Sequence, residues 1–168
     1  ARRSADEADR RDMRIIAVSR FSDTNAAVRL AAAGVEPLAC DLFDAASRSK
    51  LPPAANVIYM VGHKFSAAGV DPRESAASYW AVNALLAGVL AEQYRDARIV
   101  AFSTGNVYPF TRLDEPAPTE STPPAPVGEY AQSCLARERL LTFASYRFST
   151  RVAILRLNYA VEPRYGVP

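Results

Sequence analysis

Ser103 and Thr104 stand at the end of an apolar run, and Tyr130 follows a loop later at the start of a helical stretch. A hydroxyl beside a phenol suits a site that moves a proton at a carbinol oxygen while a hydride moves at its carbon. A free phenol ionises near ~10, so such a tyrosine acts as a base at neutral pH only beside a positive charge. A lysine one helical turn after Tyr130 would supply it, but that position is Cys134. A neutral thiol does not replace a three-donor ammonium. Neither lysine of the chain, Lys50 or Lys64, lies four residues after a tyrosine. Arg137, seven residues after Tyr130 on the same helix face, is a further source of positive charge.

Alternating strands and helices must position these groups. Residues 1–11 read as the end of a helix, and 13–19 as a short buried strand. Residues 24–33 form a helix stopped by Gly34, and 35–40 a second strand. A short helical piece near 44–50 ends at Pro52-Pro53, and 57–61 is a third strand. A helix from about 74 to 94 has an apolar face through Tyr79, Val82, Leu86 and Leu90. Residues 98–102 are the fourth strand, 129–147 a second long helix and 152–157 the fifth strand. The loop at 109–127 holds half of the prolines, and loops of that length are usually functional.

This alternation predicts an α/β fold: a Rossmann-like, doubly wound parallel sheet in three layers, α/β/α. Ligands bind such sheets at the carboxyl ends of the strands. The polar residues Ser19-Arg20, Asp41, Gly62-His63, Ser103-Thr104 and Asn158-Tyr159 fall there. His63, a lone strand-end histidine, reads first as structural.

Composition excludes several classes. The 168 residues are 49% hydrophobic and 23% charged, the balance of one globular domain. No run approaches ~18 apolar residues, which argues against a membrane span, and the start lacks a signal-peptide core. The expected location is the cytoplasm. Two cysteines and one histidine argue against a disulfide scaffold or a metal site. The net charge of +2 comes from dispersed arginines, which argues against nucleic-acid binding.

With these residues in view, the chain resembles the NAD-dependent epimerase/dehydratase family, the extended short-chain dehydrogenases. The likeness is strongest over residues 102–108, similar to the family's strand-end Ser-Ser/Thr motif before Val-Tyr. It continues through the Pro-rich loop into Tyr130 and ends at Ile154-Leu155-Arg156. Asn83 sits where the family has an Asn in the preceding long helix. The resemblance implies an NAD(P)-dependent enzyme acting at a carbinol carbon of a nucleotide-sugar-like substrate. Thr104 would orient the substrate oxygen, Tyr130 would exchange its proton, and Cys134 would stand in the lysine's place. Ser103, Asn106, Asn158 and Tyr159 would contact substrate, with Tyr159 where the family usually has an Asn. Ser19, Arg20, Asp41, Leu42, Val61, Gly62 and Tyr130 would contact the dinucleotide. Arg20, where an acidic residue would bind ribose hydroxyls, favours NADP over NAD by pairing with a 2′-phosphate. The two long helices, near 74–94 and 129–147, would form a homodimer; Leu140, Leu141, Phe143, Tyr146 and Phe148 are more apolar than one sheet face needs.

The chain departs from that pattern twice. Besides the missing lysine, it has no G-x-G turn for a pyrophosphate. In the strand order 3-2-1-4-5-6 the strand before that turn is central, and without it the sheet has a gap with two unpaired edges. The expectation is therefore a partial dinucleotide-binding domain over 1–168, incomplete at both ends, with the substrate domain elsewhere. Two other readings stay open: a non-catalytic dinucleotide-binding or scaffold protein that lost the lysine, and a sheet completed by a partner or swapped copy.

Overall fold

The computed structural model describes residues 13–64 and 69–158. The helix expected over 1–11 and the expected substrate contact Tyr159 lie outside the described residues. The chain divides into two compact units, Ala1–Pro52 and Pro53–Pro168.

In the first unit, β1 (Ile16–Ser19) and β2 (Glu36–Ala39) pair in parallel, Ile16 opposite Glu36 and Ser19 opposite Ala39. The crossover is α1 (Thr24–Ala32). Asp23 caps it by accepting from the Asn25 amide at 3.0 Å, and Arg29 in the last turn pairs with the same carboxylate at 3.1 Å. The helix stops as expected at Gly34, whose φ of 73° lets the Val35 amide turn back to the Leu30 carbonyl. Asp44 caps the short α2 (Ala45–Arg48).

The second unit holds a parallel sheet, β3 (Asn56–Tyr59), β4 (Arg98–Thr104) and β5 (Arg151–Leu157), in the order β3-β4-β5. The β4–β5 ladder runs through Ser103 opposite Arg156 and Thr104 opposite Leu157. Strand β4 therefore extends two residues beyond the expected 98–102 and carries both hydroxyls within the sheet. Among the described residues no ladder joins β1 to β3, so the five strands form two parallel sheets.

Three helical segments pack in the second unit. The first two are continuous: α3 (Pro72–Tyr79) passes through a π-turn (Trp80–Leu85) into α4 (Leu86–Gln93). Asp71 caps α3 and Pro72 occupies its first turn. The π-turn corrects the expected regular face. Its wider turn shifts the helical phase, so Asn83 and Ala84 become buried beside Leu86, Ala87 and Leu90, while Tyr79 and Val82 are half-buried. The third segment, α5 (Gly128–Phe148), ends at Ser149 in the left-handed region, φ 60°. Helix α5 lies against the π-turn, α4, β4 and β5, and its Ala131, Cys134, Leu141 and Ala144 are buried. Ile58, Met60, Leu155 and Leu157 are exposed on the strands or just past them.

Candidate active site

Strand β4 ends by placing Ser103 and Thr104 on opposite faces, as period-2 side chains must be. Thr104 Oγ1 accepts from the Asn106 amide at 3.2 Å and so starts the 3-10 turn Gly105–Val107. Across from it, Gly128 with φ 81° turns the Pro-rich loop into α5, and Tyr130 sits in the first helical turn. The Thr104 hydroxyl and the Cys134 thiol both lie near enough to the Tyr130 phenol to bear on its ionisation. The structure thus brings Thr104, Tyr130 and Cys134 together.

Aromatic rings wall this corner. Tyr79 meets Tyr130 edge-on with centroids 6.0 Å apart, and His63 lies against Tyr79 at 5.3 Å. Burial, and then Cys134, hold the Tyr130 phenol above its ordinary pKa; the nearby Thr104 hydroxyl and the Arg137 charge oppose this without overcoming it. The Cys134 thiol is also pushed up, chiefly by burial.

Beneath the corner lies a buried polar network centred on Asn83. Its Oδ1 accepts from the His63 amide at 2.8 Å and from Arg137 Nη2 at 2.9 Å. Its Nδ2 donates to the His63 carbonyl at 2.9 Å and to Ser133 Oγ at 3.0 Å, and Ser133 Oγ donates to the Tyr130 carbonyl at 2.8 Å. One amide side chain thereby fixes both the loop after β3 and the first turn of α5. Arg137 also donates from Nε to the Asn83 carbonyl at 3.0 Å and from Nη1 to the Phe102 carbonyl at 2.8 Å. Its guanidinium lies 5.7 Å from the Tyr59 ring centre. A Cβ at Gly62 would come within 3.4 Å of Arg137 Nη2, so this backbone runs close over the arginine.

On the other face of β4, Ser103 Oγ donates to Glu138 Oε1 at 2.5 Å. Arg156 of β5 donates from Nε and Nη2 to the same carboxylate at 3.0 and 2.7 Å, and from Nη1 to the Tyr108 hydroxyl at 2.8 Å. An open groove of about 1370 Å³ adjoins this cluster, lined in part by Asn106, Tyr108, Phe110, Glu138, Arg156 and Asn158. Asn106 and Asn158 thus share the groove, whereas the Ser103 hydroxyl is buried against Glu138 and away from Thr104.

The remaining expected contacts stand at strand ends. Val61 and Gly62 follow β3 in the second unit, half-buried and exposed respectively. In the first unit Ser19 and Arg20 close β1, both exposed, and Ser19 Oγ accepts from the Phe21 amide at 3.3 Å. Asp41 and Leu42 follow β2, and Asp41 Oδ1 accepts from the Phe43 amide at 2.9 Å. Next to Gly62, both backbone polar groups of His63 are tied to the Asn83 side chain. Among the described residues no group of three or more His, Cys, Asp or Glu could hold a metal, and no helix is long and apolar enough to cross a membrane.

Sequence reasoning did not single out Glu138, Arg156 with Tyr108, or Tyr79 as parts of this corner. The available signal was an arginine inside the apolar run 152–157, which needs a partner when that run becomes a strand against a helix.

A profile of the NAD dependent epimerase/dehydratase family matches residues 2–164. The chain belongs to this family. No curated protein sequence gives a significant match. Among solved structures, UDP-glucuronic acid 4-epimerase from Bacillus cereus in complex with NAD superposes with a TM-score of 0.78 at 15% identity, over 98% of this chain and 54% of that one. RMD from Pseudomonas aeruginosa complexed with NADPH matches with a TM-score of 0.67 at 23% identity, over 90% and 56%. MoeE5 in complex with UDP-glucose and NAD matches with a TM-score of 0.66 at 22% identity, over 94% and 50%. The epimerase/dehydratase family member described here therefore spans about half the length of these structures, and at such identities the likeness shows the fold.

Proposed function

We propose that this chain carries the acid–base half of an NAD(P)-dependent epimerase- or dehydratase-like oxidoreductase acting at a carbinol carbon of a nucleotide-sugar-like substrate. The observation that carries the reading is that the Thr104 hydroxyl, at the carboxyl end of β4, lies beside the Tyr130 phenol in the first turn of α5. In this reading Thr104 holds the substrate oxygen by its hydroxyl, and Tyr130 exchanges a proton with that oxygen at its phenol. A bound nicotinamide dinucleotide supplies the acceptor and donor of hydride. Ser19, Arg20, Asp41, Leu42, Val61 and Gly62 would hold it, and exposed Arg20 supports NADP over NAD. Asn106 and Asn158, on the groove, would meet the substrate. The nucleotide-sugar class is supported by the structural neighbours, whose complexes hold UDP-glucose or UDP-glucuronic acid with NAD.

A homodimer through α3–α4 and α5 belongs to the same reading, supported by Leu85, Phe143 and Tyr146, all exposed on those segments. Two free, buried cysteines suit a reducing, cytoplasmic setting.

One observation favours a second reading, a dinucleotide-binding protein without turnover: burial keeps the Tyr130 phenol protonated, and no lysine opposes this. Kinetics of the full-length protein with Tyr130→Phe separate the two. The catalytic reading expects a loss of about 10²- to 10⁴-fold in turnover with dinucleotide binding retained. Unchanged turnover in Tyr130→Phe would refute it.

A further inference from the structure

We infer that Arg137 serves as a cation of this site, its charge left without a counter-carboxylate among the described residues, so that it stabilises the phenolate Tyr130 becomes when its proton passes to the substrate oxygen. The inference rests on the acid–base reading above and adds to it the group that serves where a lysine is missing.

Arg137 is 6% exposed, and an arginine stays charged at any pH a protein meets. Burying a charge is costly unless an opposite charge compensates it. Among the described residues its acceptors are the Asn83 carbonyl, the Asn83 amide oxygen and the Phe102 carbonyl, all neutral. They fix the guanidinium in place but leave its charge standing. Glu138, the next residue, does not pair with it; that carboxylate is turned to Arg156 and Ser103.

The groups around Arg137 that can become anions are Tyr59, Cys134 and Tyr130, and its charge favours ionisation of each. Tyr59 is buried and its hydroxyl donates to the Val82 carbonyl. Cys134 is 1% exposed. Tyr130 is half-buried beside Thr104, its carbonyl is tied through Ser133 to the Asn83 amide that also holds Arg137, and it is the member of the three that a substrate can reach. The Tyr79 ring of α3 also faces it, and His63 stands behind Tyr79. At rest the phenol is protonated, so the arginine acts on the charge that develops as the proton leaves, which is where a fixed charge lowers a barrier.

The test reads Tyr130 ionisation directly, by ultraviolet difference titration of the full-length protein against Tyr130→Phe, alongside the pH profile of kcat/KM. In Arg137→Met the Tyr130 midpoint should rise by about one pH unit and kcat/KM at neutral pH should fall about tenfold, carried by kcat with KM little changed. Arg137→Lys should keep most of both. Asn83→Asp places a carboxylate where Arg137 Nη2 already donates, neutralising the charge with the guanidinium still in place, and should raise the midpoint in the same direction. This second variant decides the matter if Arg137→Met does not fold. A Tyr130 midpoint unmoved by either substitution overturns the inference. Because the titration needs no turnover, it stands apart from the Tyr130→Phe kinetics that would sink the catalytic reading itself.

Discussion

Two arginines of the second unit meet the end of β4 in opposite ways. Arg156 lies over the Tyr108 ring at 4.8 Å and grips Glu138 through two nitrogens, so its charge is cancelled where it stands. That pairing with a carboxylate raises its affinity for its proton still further. It ties β5, α5 and the serine of β4 into one piece. Arg137 has the same five donors but, among the described residues, is held by neutral oxygens, those of Asn83 and the Phe102 carbonyl. A cancelled charge stabilises structure; an uncancelled one, held rigidly in a low dielectric, acts on its neighbours. On this account the Glu138–Arg156 pair is scaffold, and Arg137 with Tyr130 is chemistry.

The strongest challenge to that division is Tyr130→Phe, expected to slow turnover about a thousandfold, equivalent to about 4 kcal/mol of barrier, with no matching loss of stability. Next in size is Glu138→Ala. Removing one partner of a buried pair leaves Arg156 and the Ser103 hydroxyl without their acceptor, and about 3 kcal/mol of stability should be lost in urea denaturation. Activity per folded molecule should change far less than in Tyr130→Phe. Comparable losses of specific activity in both variants would erase that distinction.

A pH titration of stability sharpens it further. Burial pushes the Tyr59 phenol, beneath Arg137, up to about 12. Its pKa is raised on folding, so above ~10 the unfolded chain sheds a proton that the folded state retains. Stability should hold steady below pH ~10 and decline by up to about 2 to 3 kcal/mol as pH rises toward the folded value. Tyr59→Phe should flatten that decline, measured as urea midpoints across the alkaline range. The smallest expected effect is on stability in Arg137→Met. The loss of a buried, uncompensated charge offsets the cost of orphaned carbonyls, leaving a net change of about 1 kcal/mol.

Much of the fold could be read from the chain. Apolar runs bounded by Gly34 and by Pro52-Pro53 located the strands because nothing nonlocal competes with those breaks. The places of Thr104 and Tyr130 were legible for a related reason: a strand end and a helix start are local features. The second layer was not legible. Arg137 could be set on the Tyr130 face of its helix, but its burial and that of Glu138 could not be read. Adjacent helical residues point about 100° apart, and their acceptors come from β4, β5 and the π-turn, distant in sequence. Asn83 was placed but its burial was not, because the π-turn changes the period on which a helical face is judged.

The central claim, that Thr104 and Tyr130 work a proton beside a transferring hydride, is tested most directly by mixing the full-length protein with oxidised NAD or NADP and UDP-glucuronic acid or UDP-glucose. Reduced cofactor is then followed by its absorbance and fluorescence. Because an epimerase or dehydratase returns the hydride within its cycle, the account predicts transient reduced cofactor during a single turnover of the wild type and little or none in Tyr130→Phe. Tight dinucleotide binding with no hydride exchange in the wild type, across both cofactors and both sugars, would contradict it.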